Sequence, residues 1–104
     1  MSTTTFRIVA NSSVNADFFA FHGNIDAQSE TLLKELPQRV CQPLVTLDFA
    51  RTGRINSMGI AFLLRCLKKI KEEKKAEIHL KELNQTNALL FRMTGIFMLA
   101  TPIK

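Results

Sequence analysis

A serine at the start of the longest amphipathic segment is the residue whose position best suits chemistry. Ser57 opens that segment, and Arg51 and Arg54 precede it by a few residues. The first turn of a helix presents unpaired backbone N–H groups and the positive end of the helix dipole, which together accommodate a phosphate. The same hydroxyl can instead cap the helix by accepting a backbone hydrogen bond. The sequence is therefore compatible with both roles of Ser57, as a phosphorylation site and as a helix cap.

Other reactive side chains are few and scattered. The histidines His22 and His79 and the cysteines Cys41 and Cys66 do not have the spacing of a metal site or a redox motif. The sequence also contains no glycine-rich phosphate-binding loop and no pair of carboxylates in an evident cleft. We therefore predict a protein that is not an enzyme and that binds neither a metal ion nor a cofactor.

The composition indicates one small globular domain with a basic surface. The chain has 104 residues, a hydrophobic content of 46% and a formal net charge of +5. This predicts a single domain over residues 1–104, built in two layers around a thin core. Part of the charge lies in residues 68–75, where both signs occur together as on a solvated helix end. Tyrosine and tryptophan, which would stack on bases, are absent, so we predict no nucleic-acid partner.

The hydropathy of the chain bears on its location. No segment has the pattern of a signal peptide or the length of a membrane span. We predict a cytoplasmic protein that does not insert directly into a membrane and that is a monomer or a weak dimer.

Alternating and helical periodicities predict elements in the order β-β-α-β-α-β-α-β. The predicted strands cover residues 3–10, 17–21, 44–49, 76–80 and 96–100. The predicted helices begin at Asn24 or Asp26, at Ser57 and at Asn84, and end at Pro37, near Lys75 and before Gly95. Strands joined through a helix pair in parallel. We therefore predict an α/β fold in which a small mixed β-sheet carries helices packed on one face, a two-layer sandwich.

The third strand leads to Ser57. Residues 44–49 are apolar except for Thr46 and Asp48, a run typical of a central strand that is covered on both faces. Asp48 near its end is expected to accept hydrogen bonds from N–H groups of the loop 50–55. It would thereby help to shape the loop that carries Ser57.

The helix that starts at Ser57 is apolar on more than one face in its first two turns. Ile60, Leu63 and Leu67 form part of a stripe at helical spacing. Met58 and Phe62 lie one turn apart outside that stripe. They either pack against a neighbouring element or form an exposed apolar docking patch beside Ser57.

Four short motifs in this order resemble those of the STAS domains, the family of anti-sigma factor antagonists. The family's Gly-x-hydrophobic-Asp segment is similar to residues 23–26, and its central strand ending in Asp is similar to residues 47–50. Its Asp-Ser-Ser/Thr-Gly signature at the start of the long helix is similar to Asn56-Ser57-Met58-Gly59. A later Leu-Phe-x-x-Ser/Thr-Gly segment is similar to residues 90–97.

The resemblance implies a phosphorylation switch. In this family a serine kinase, which is usually also an anti-sigma factor, phosphorylates the first hydroxyl residue of the signature, and a PP2C-type phosphatase removes the phosphate. By position, Ser57 is the phosphoacceptor, and its surroundings form the partner-binding surface. The residues expected there are Asp26, Arg54, Asn56, Met58, Gly59 and Phe62.

Two departures from the family pattern support an alternative. Asn56 replaces the usual aspartate and removes a negative charge beside the acceptor, whereas Met58 replaces the second hydroxyl residue. STAS domains also serve as constitutive interaction subunits of transporters or larger signalling complexes. In that role Ser57 would be a helix cap only.

Overall fold

A five-stranded mixed sheet forms one layer of the molecule. The computed structural model describes residues 5–103. Its strands are β1 (Arg7–Ser12), β2 (Ala16–Ile25), β3 (Leu44–Ile55), β4 (Glu77–Lys81) and β5 (Thr101–Ile103). They lie side by side in chain order, with β1 antiparallel to β2 and all other neighbours parallel. The sheet is therefore mixed, as predicted.

Helices form the second layer. The α-helices are α1 (Glu30–Arg39), α2 (Ser57–Lys69) and α3 (Gln85–Thr94). Short turns extend them: 3₁₀ turns over Ala27–Ser29 and Ile96–Met98, and a π turn over Ile70–Lys74 that continues α2. The helices pack on one face of the sheet, which confirms the predicted α/β two-layer fold.

A row of phenylalanines joins the two layers. Phe6, Phe21, Phe49, Phe91 and Phe97 follow one another edge to face, with ring centroids 5.2 to 6.3 Å apart. Edge-to-face packing suits the charge distribution of aromatic rings. The row runs from before β1 through β2 and β3 to α3, so it holds the edge of the sheet and the last helix in one core.

Strand β3 is longer than predicted, and the prediction of a loop over residues 50–55 is wrong. The strand continues to Ile55 because β2 also continues, pairing His22 with Arg51 and Ile25 with Ile55. The register slips twice along this extension, and each slip places an extra residue in β3. Such bulges bend a strand without ending its pairing.

The prediction that β3 is covered on both faces is also wrong. Val45, Leu47 and Phe49 are buried beneath the helices, whereas the alternate residues Thr46 and Asp48 are only half-buried. A strand covered on one face shows this alternation of burial.

Two other predicted boundaries shift, and the prediction of a strand over residues 96–100 is wrong. Helix α1 runs past Pro37, which is buried inside its last turns, where the missing N–H costs one hydrogen bond. Residues 96–100 do not form a strand, because Gly95 adopts a left-handed conformation and a 3₁₀ turn follows it. Of the predicted first strand, Thr3 and Thr4 lie outside the described residues, and β1 begins at Arg7.

One finding bears on membranes. None of the helices that the structure describes is both long and apolar enough to reach across a bilayer.

Candidate partner-binding site at the start of helix α2

Asn56, and not Ser57, caps helix α2. Asn56 has an extended backbone, and its side-chain oxygen accepts a hydrogen bond of 2.9 Å from the Gly59 N–H. Its own N–H donates to the Ile25 carbonyl, 3.2 Å away, which attaches the helix start to the end of β2. The interpretation of Ser57 as a cap is therefore wrong, because the residue before it takes that position.

Ser57 is the first residue of α2, and its hydroxyl is exposed. Within residues 5–103 this hydroxyl neither donates nor accepts a hydrogen bond, and the N–H groups of Ser57 and Met58 have no protein acceptor. The first turn of α2 contains no acidic residue. The start of α2 thus presents free backbone N–H groups and the positive end of the helix dipole. No acidic side chain of the first turn compensates this positive end.

Met58 is the exposed apolar neighbour of Ser57. Half of its surface (50%) is accessible to solvent, although it lies in the first turn of a helix whose next residues are buried. An exposed methionine adapts its shape to irregular contacts. Met58 is therefore the exposed apolar side chain next to Ser57 in the chain.

Phe62 and Gly59 do not lie on that exposed surface. Phe62 is buried, with 8% of its surface exposed, because α1 packs beside it. Gly59 is also buried, and a Cβ atom at this position would collide with the Ile25 carbonyl. Of the two alternatives for Met58 and Phe62, packing against a neighbouring element holds for Phe62, whereas Met58 stays exposed. Gly59 serves the close approach of α2 to β2.

Asp26 and Asn56 are brought together by the parallel pairing of β2 and β3. Ile25 and Ile55 are register partners, so the residue that follows each one lies at the same edge of the sheet. The Asp26 carboxylate accepts a hydrogen bond of 3.0 Å from the Gln28 N–H, and the Asp26 N–H donates to the Ser29 hydroxyl. Asp26 thus has the capping function predicted for it, in a turn that borders the start of α2.

The two arginines before Ser57 differ in position. Arg54 is exposed, and its N–H donates to the side-chain oxygen of Asn24 at 2.8 Å. Arg51 lies three residues further back in extended β3, six residues before Ser57, which at about 3.3 Å per residue places its backbone up to roughly 20 Å from Ser57. Arg54 alone is therefore a neighbour of Ser57 along the chain.

Asp48 is further from Ser57 than expected. Its carboxylate accepts a hydrogen bond of 2.9 Å from the Ala50 N–H, at the first bulge of β3. It satisfies a backbone N–H group as predicted, but this group belongs to the strand and not to a loop carrying Ser57.

The structure also shows a polar cleft that the sequence did not reveal. The cleft lies between the end of β3 and the start of α3, and Asn24, Arg54 and Asn56 share it with Asn84 and Asn87. Asn84 caps α3 as predicted, accepting a 2.7 Å hydrogen bond from the Asn87 N–H. The predicted topology could have indicated this cleft, because the carboxyl ends of parallel strands lie at one edge of the sheet and leave a crevice there.

The thiols and histidines lie in different parts of the fold. Burial raises the pKa of Cys66 from 9.0 to about 12, which makes the reactive thiolate form scarcer than in an ordinary cysteine. Cys41 is exposed, and His79 contacts Glu77 at 2.6 Å. In the part of the chain that the structure describes, no three His, Cys, Asp or Glu side chains are arranged to hold a metal ion.

Comparison with solved structures identifies the fold. An anti-sigma factor antagonist from Mycobacterium paratuberculosis superimposes with a TM-score of 0.75 at 13% identity, covering 93% of this chain and 84% of that one. The anti-sigma factor antagonist SpoIIAA in its unphosphorylated form gives 0.71 at 14% identity, covering 95% and 88%. SpoIIAA of Bacillus in its phosphorylated form gives 0.63 at 14% identity, covering 95% and 91%.

The chain therefore has the fold of the anti-sigma factor antagonists, and the resemblance to STAS domains is confirmed at the level of the fold. No protein-family model matches the sequence, and no curated protein does.

Proposed function

We propose that this chain is a non-enzymatic partner-switching regulator of the anti-sigma factor antagonist type, controlled by phosphorylation of Ser57. The observation that carries the proposal is the exposed Ser57 hydroxyl, which has no hydrogen-bond partner within residues 5–103 and stands beside a cap made by Asn56. A kinase can reach such a hydroxyl, and its modification breaks no bond of the fold. The likeness to SpoIIAA in both its unphosphorylated and its phosphorylated forms supports the same view.

The start of α2 would tolerate a phosphate within the folded protein. A phosphoserine adds about 1.5 to 2 negative charges and strong acceptor oxygens. The N–H groups of Ser57 and Met58, which have no protein acceptor within residues 5–103, could meet these oxygens, and the exposed Arg54 lies three residues before Ser57. The architecture would therefore stay intact after modification.

A docked partner would not tolerate the same phosphate. A partner that covers Met58 must also remove water from the neighbouring residue, Ser57. Burying an uncompensated charge costs several kcal/mol, whereas about 1.4 kcal/mol already changes affinity tenfold. In this proposal the unphosphorylated form binds its target and the phosphorylated form releases it.

The proposal implies protein partners and a location. We propose a serine kinase that is also an anti-sigma factor as the target, a PP2C-type phosphatase as the restoring enzyme, and the cytoplasm as the compartment. Neither nucleic acid nor a membrane is needed as a partner, and the working form is a monomer or a weak dimer. Asp26, Arg54, Asn56 and Met58 form the proposed contact surface.

Incubation with the cognate kinase and ATP tests the assignment of Ser57. The wild-type chain should gain one phosphoryl group, and Ser57→Ala should gain none. Thr52→Ala is the matched control, because Thr52 is a nearby hydroxyl residue that already donates a 3.0 Å hydrogen bond to the Phe21 carbonyl. Loss of phosphorylation in Thr52→Ala but not in Ser57→Ala would contradict the proposal.

The second candidate is a constitutive interaction subunit. The replacement of the usual Asp-Ser-Ser/Thr pattern by Asn56-Ser57-Met58 is the observation that favours it. Co-purification separates the two candidates, since a soluble kinase and phosphatase support the switch, and a transporter or membrane complex supports the subunit.

A further inference from the structure

A shallow apolar groove lies between α1 and α2. Leu33 and Pro37 of α1 and Phe62 and Cys66 of α2 form its floor. The enclosed space is about 70 Å³, far below the roughly 300 to 1,000 Å³ of small-molecule pockets. The groove therefore has room for one anchoring side chain and not for a cofactor.

The rim of this groove is cationic. Lys34, Arg65 and Lys69 line it, with Glu30 as the one carboxylate among the lining residues. The only ion pair within residues 5–103 joins His79 to Glu77, so none of the three cations forms a direct ion pair with a described carboxylate. Arg65 is held over the Phe62 ring, 6.0 Å from its centroid, which keeps its charge at the groove.

The groove lies one helical turn away from the exposed Met58. Phe62 lies one helical turn after Met58 and forms the near end of the floor. A partner helix or strand that contacts Met58 can therefore also reach the groove, which begins one turn further along α2.

We propose that this groove docks an acidic amphipathic segment of a protein partner, with one bulky apolar residue on the floor and Asp or Glu residues on either side. Apolar contact supplies the anchor, and the three cations select the sign of the flanking charges. The inference rests on the proposed function only in assigning the segment to the partner that covers Met58. Binding of the segment itself needs no phosphate.

Selection from a displayed library of random 12-residue peptides against the full chain tests the groove. The enriched peptides should combine one bulky apolar residue with flanking acids. A synthetic peptide of that sequence should bind about tenfold more weakly to the triple variant K34E/R65E/K69E, since each exposed ion pair contributes a few-fold in affinity. Its binding should also weaken as salt rises.

Matched variants keep the test independent of misfolding. Lys68→Glu changes the same charge in the same last turn of α2 but lies outside the groove, so peptide affinity should stay within about twofold of the wild type. Glu30→Gln removes the carboxylate of the rim and should tighten binding by about two- to threefold. A gain of affinity cannot arise from unfolding.

Several results would overturn the inference: enriched peptides without acids, equal losses in Lys68→Glu and in the triple variant, or groove-dependent binding to anionic lipid vesicles or to a second copy in preference to peptide. The outcome is separate from that of the switch. Peptide selection uses the unmodified chain, so its failure leaves phosphorylation of Ser57 standing, and a failure of phosphorylation leaves the groove standing.

Discussion

The side-chain oxygen of Asn56 accepts a hydrogen bond of 2.9 Å from the Gly59 N–H and thereby takes the capping position that Ser57 would otherwise occupy. An asparagine caps a helix about as well as an aspartate or a serine. An asparagine in place of the aspartate of the STAS signature therefore keeps the geometry of a capped helix start. What changes is the charge, because a neutral cap stands next to the hydroxyl on which a phosphate would be placed.

Removing the cap should destabilise the fold, whereas removing the hydroxyl should not. Asn56→Ala should lower the free energy of unfolding by about 1 kcal/mol through loss of the bond to Gly59, and Ser57→Ala should change it by less than about 0.5 kcal/mol. Urea unfolding measures both. Asn56→Asp is the control that keeps an acceptor and should retain wild-type stability. A larger loss in Ser57→Ala than in Asn56→Ala would show that Ser57 is the cap after all.

A negative charge at Ser57 should be compatible with the fold. Ser57→Asp should raise the free energy of unfolding by about 0.3 to 1 kcal/mol at low salt, because the first turn of α2 contains no acid of its own. Ser57→Lys is the control with the opposite charge and should lower it by a similar amount. Both effects should shrink as salt is added. A destabilised Ser57→Asp would indicate that a phosphate acts by disrupting the fold and not by repelling a partner.

Gly59 should resist any larger side chain. Gly59→Ala places a methyl group against the Ile25 carbonyl and should cost about 1 to 3 kcal/mol, because α2 must move away from β2. Met58→Ala, at the exposed position next to it, should cost less than about 0.5 kcal/mol. Thermal unfolding of the two variants compares them directly. Equal stability of Gly59→Ala and the wild type would mean that α2 does not approach β2 this closely.

The two cysteines should react at very different rates. Alkylation near pH 8 should modify exposed Cys41 rapidly and buried Cys66 only on unfolding, because burial raises the pKa of Cys66 from 9.0 to about 12. Mass spectrometry counts the modified thiols, and Cys41→Ser should leave only the slow one. Rapid labelling of both thiols in the native protein would contradict the burial of Cys66.

The same thiol should make stability depend on pH. The folded state holds the Cys66 proton up to a pKa of about 12, whereas the unfolded state releases it near 9.0. The stability contributed by this difference is therefore complete below pH 9 and is lost as the pH rises towards 12. Cys66→Ala should remove this part of the decline, which urea unfolding at several pH values would measure.

Periodicity accounts for most of the fold. The alternation of Phe19 and Phe21 and the helical stripe of Ile60, Leu63 and Leu67 set element types that the structure confirms. Short connections through helices then imply parallel neighbours. The sequence therefore carries enough local information for the order of elements and for the two-layer class.

Pairing between strands that are distant in sequence determines the features that local residue patterns did not predict. Residues 50–55 contain two arginines and a glycine and have the composition of a loop, yet they extend β3 because β2 offers them a parallel partner. The burial of Phe62 likewise depends on α1, which is far from it in sequence.

The choice of helix cap shows the same limit. Asn56 and Ser57 are adjacent residues, and both are good caps by composition. The bond from the Asn56 N–H to the Ile25 carbonyl fixes Asn56 as the last extended residue. Contact with β2 therefore decides which of the two is left exposed.

Intact-mass analysis of the protein recovered from its native cells, followed by mapping of the modified residue, tests the central claim most directly. The proposed function predicts a species carrying one phosphoryl group, located on Ser57, and its disappearance in Ser57→Ala. A phosphoryl group on another residue, or unmodified Ser57 under every growth and stress condition sampled, would contradict it.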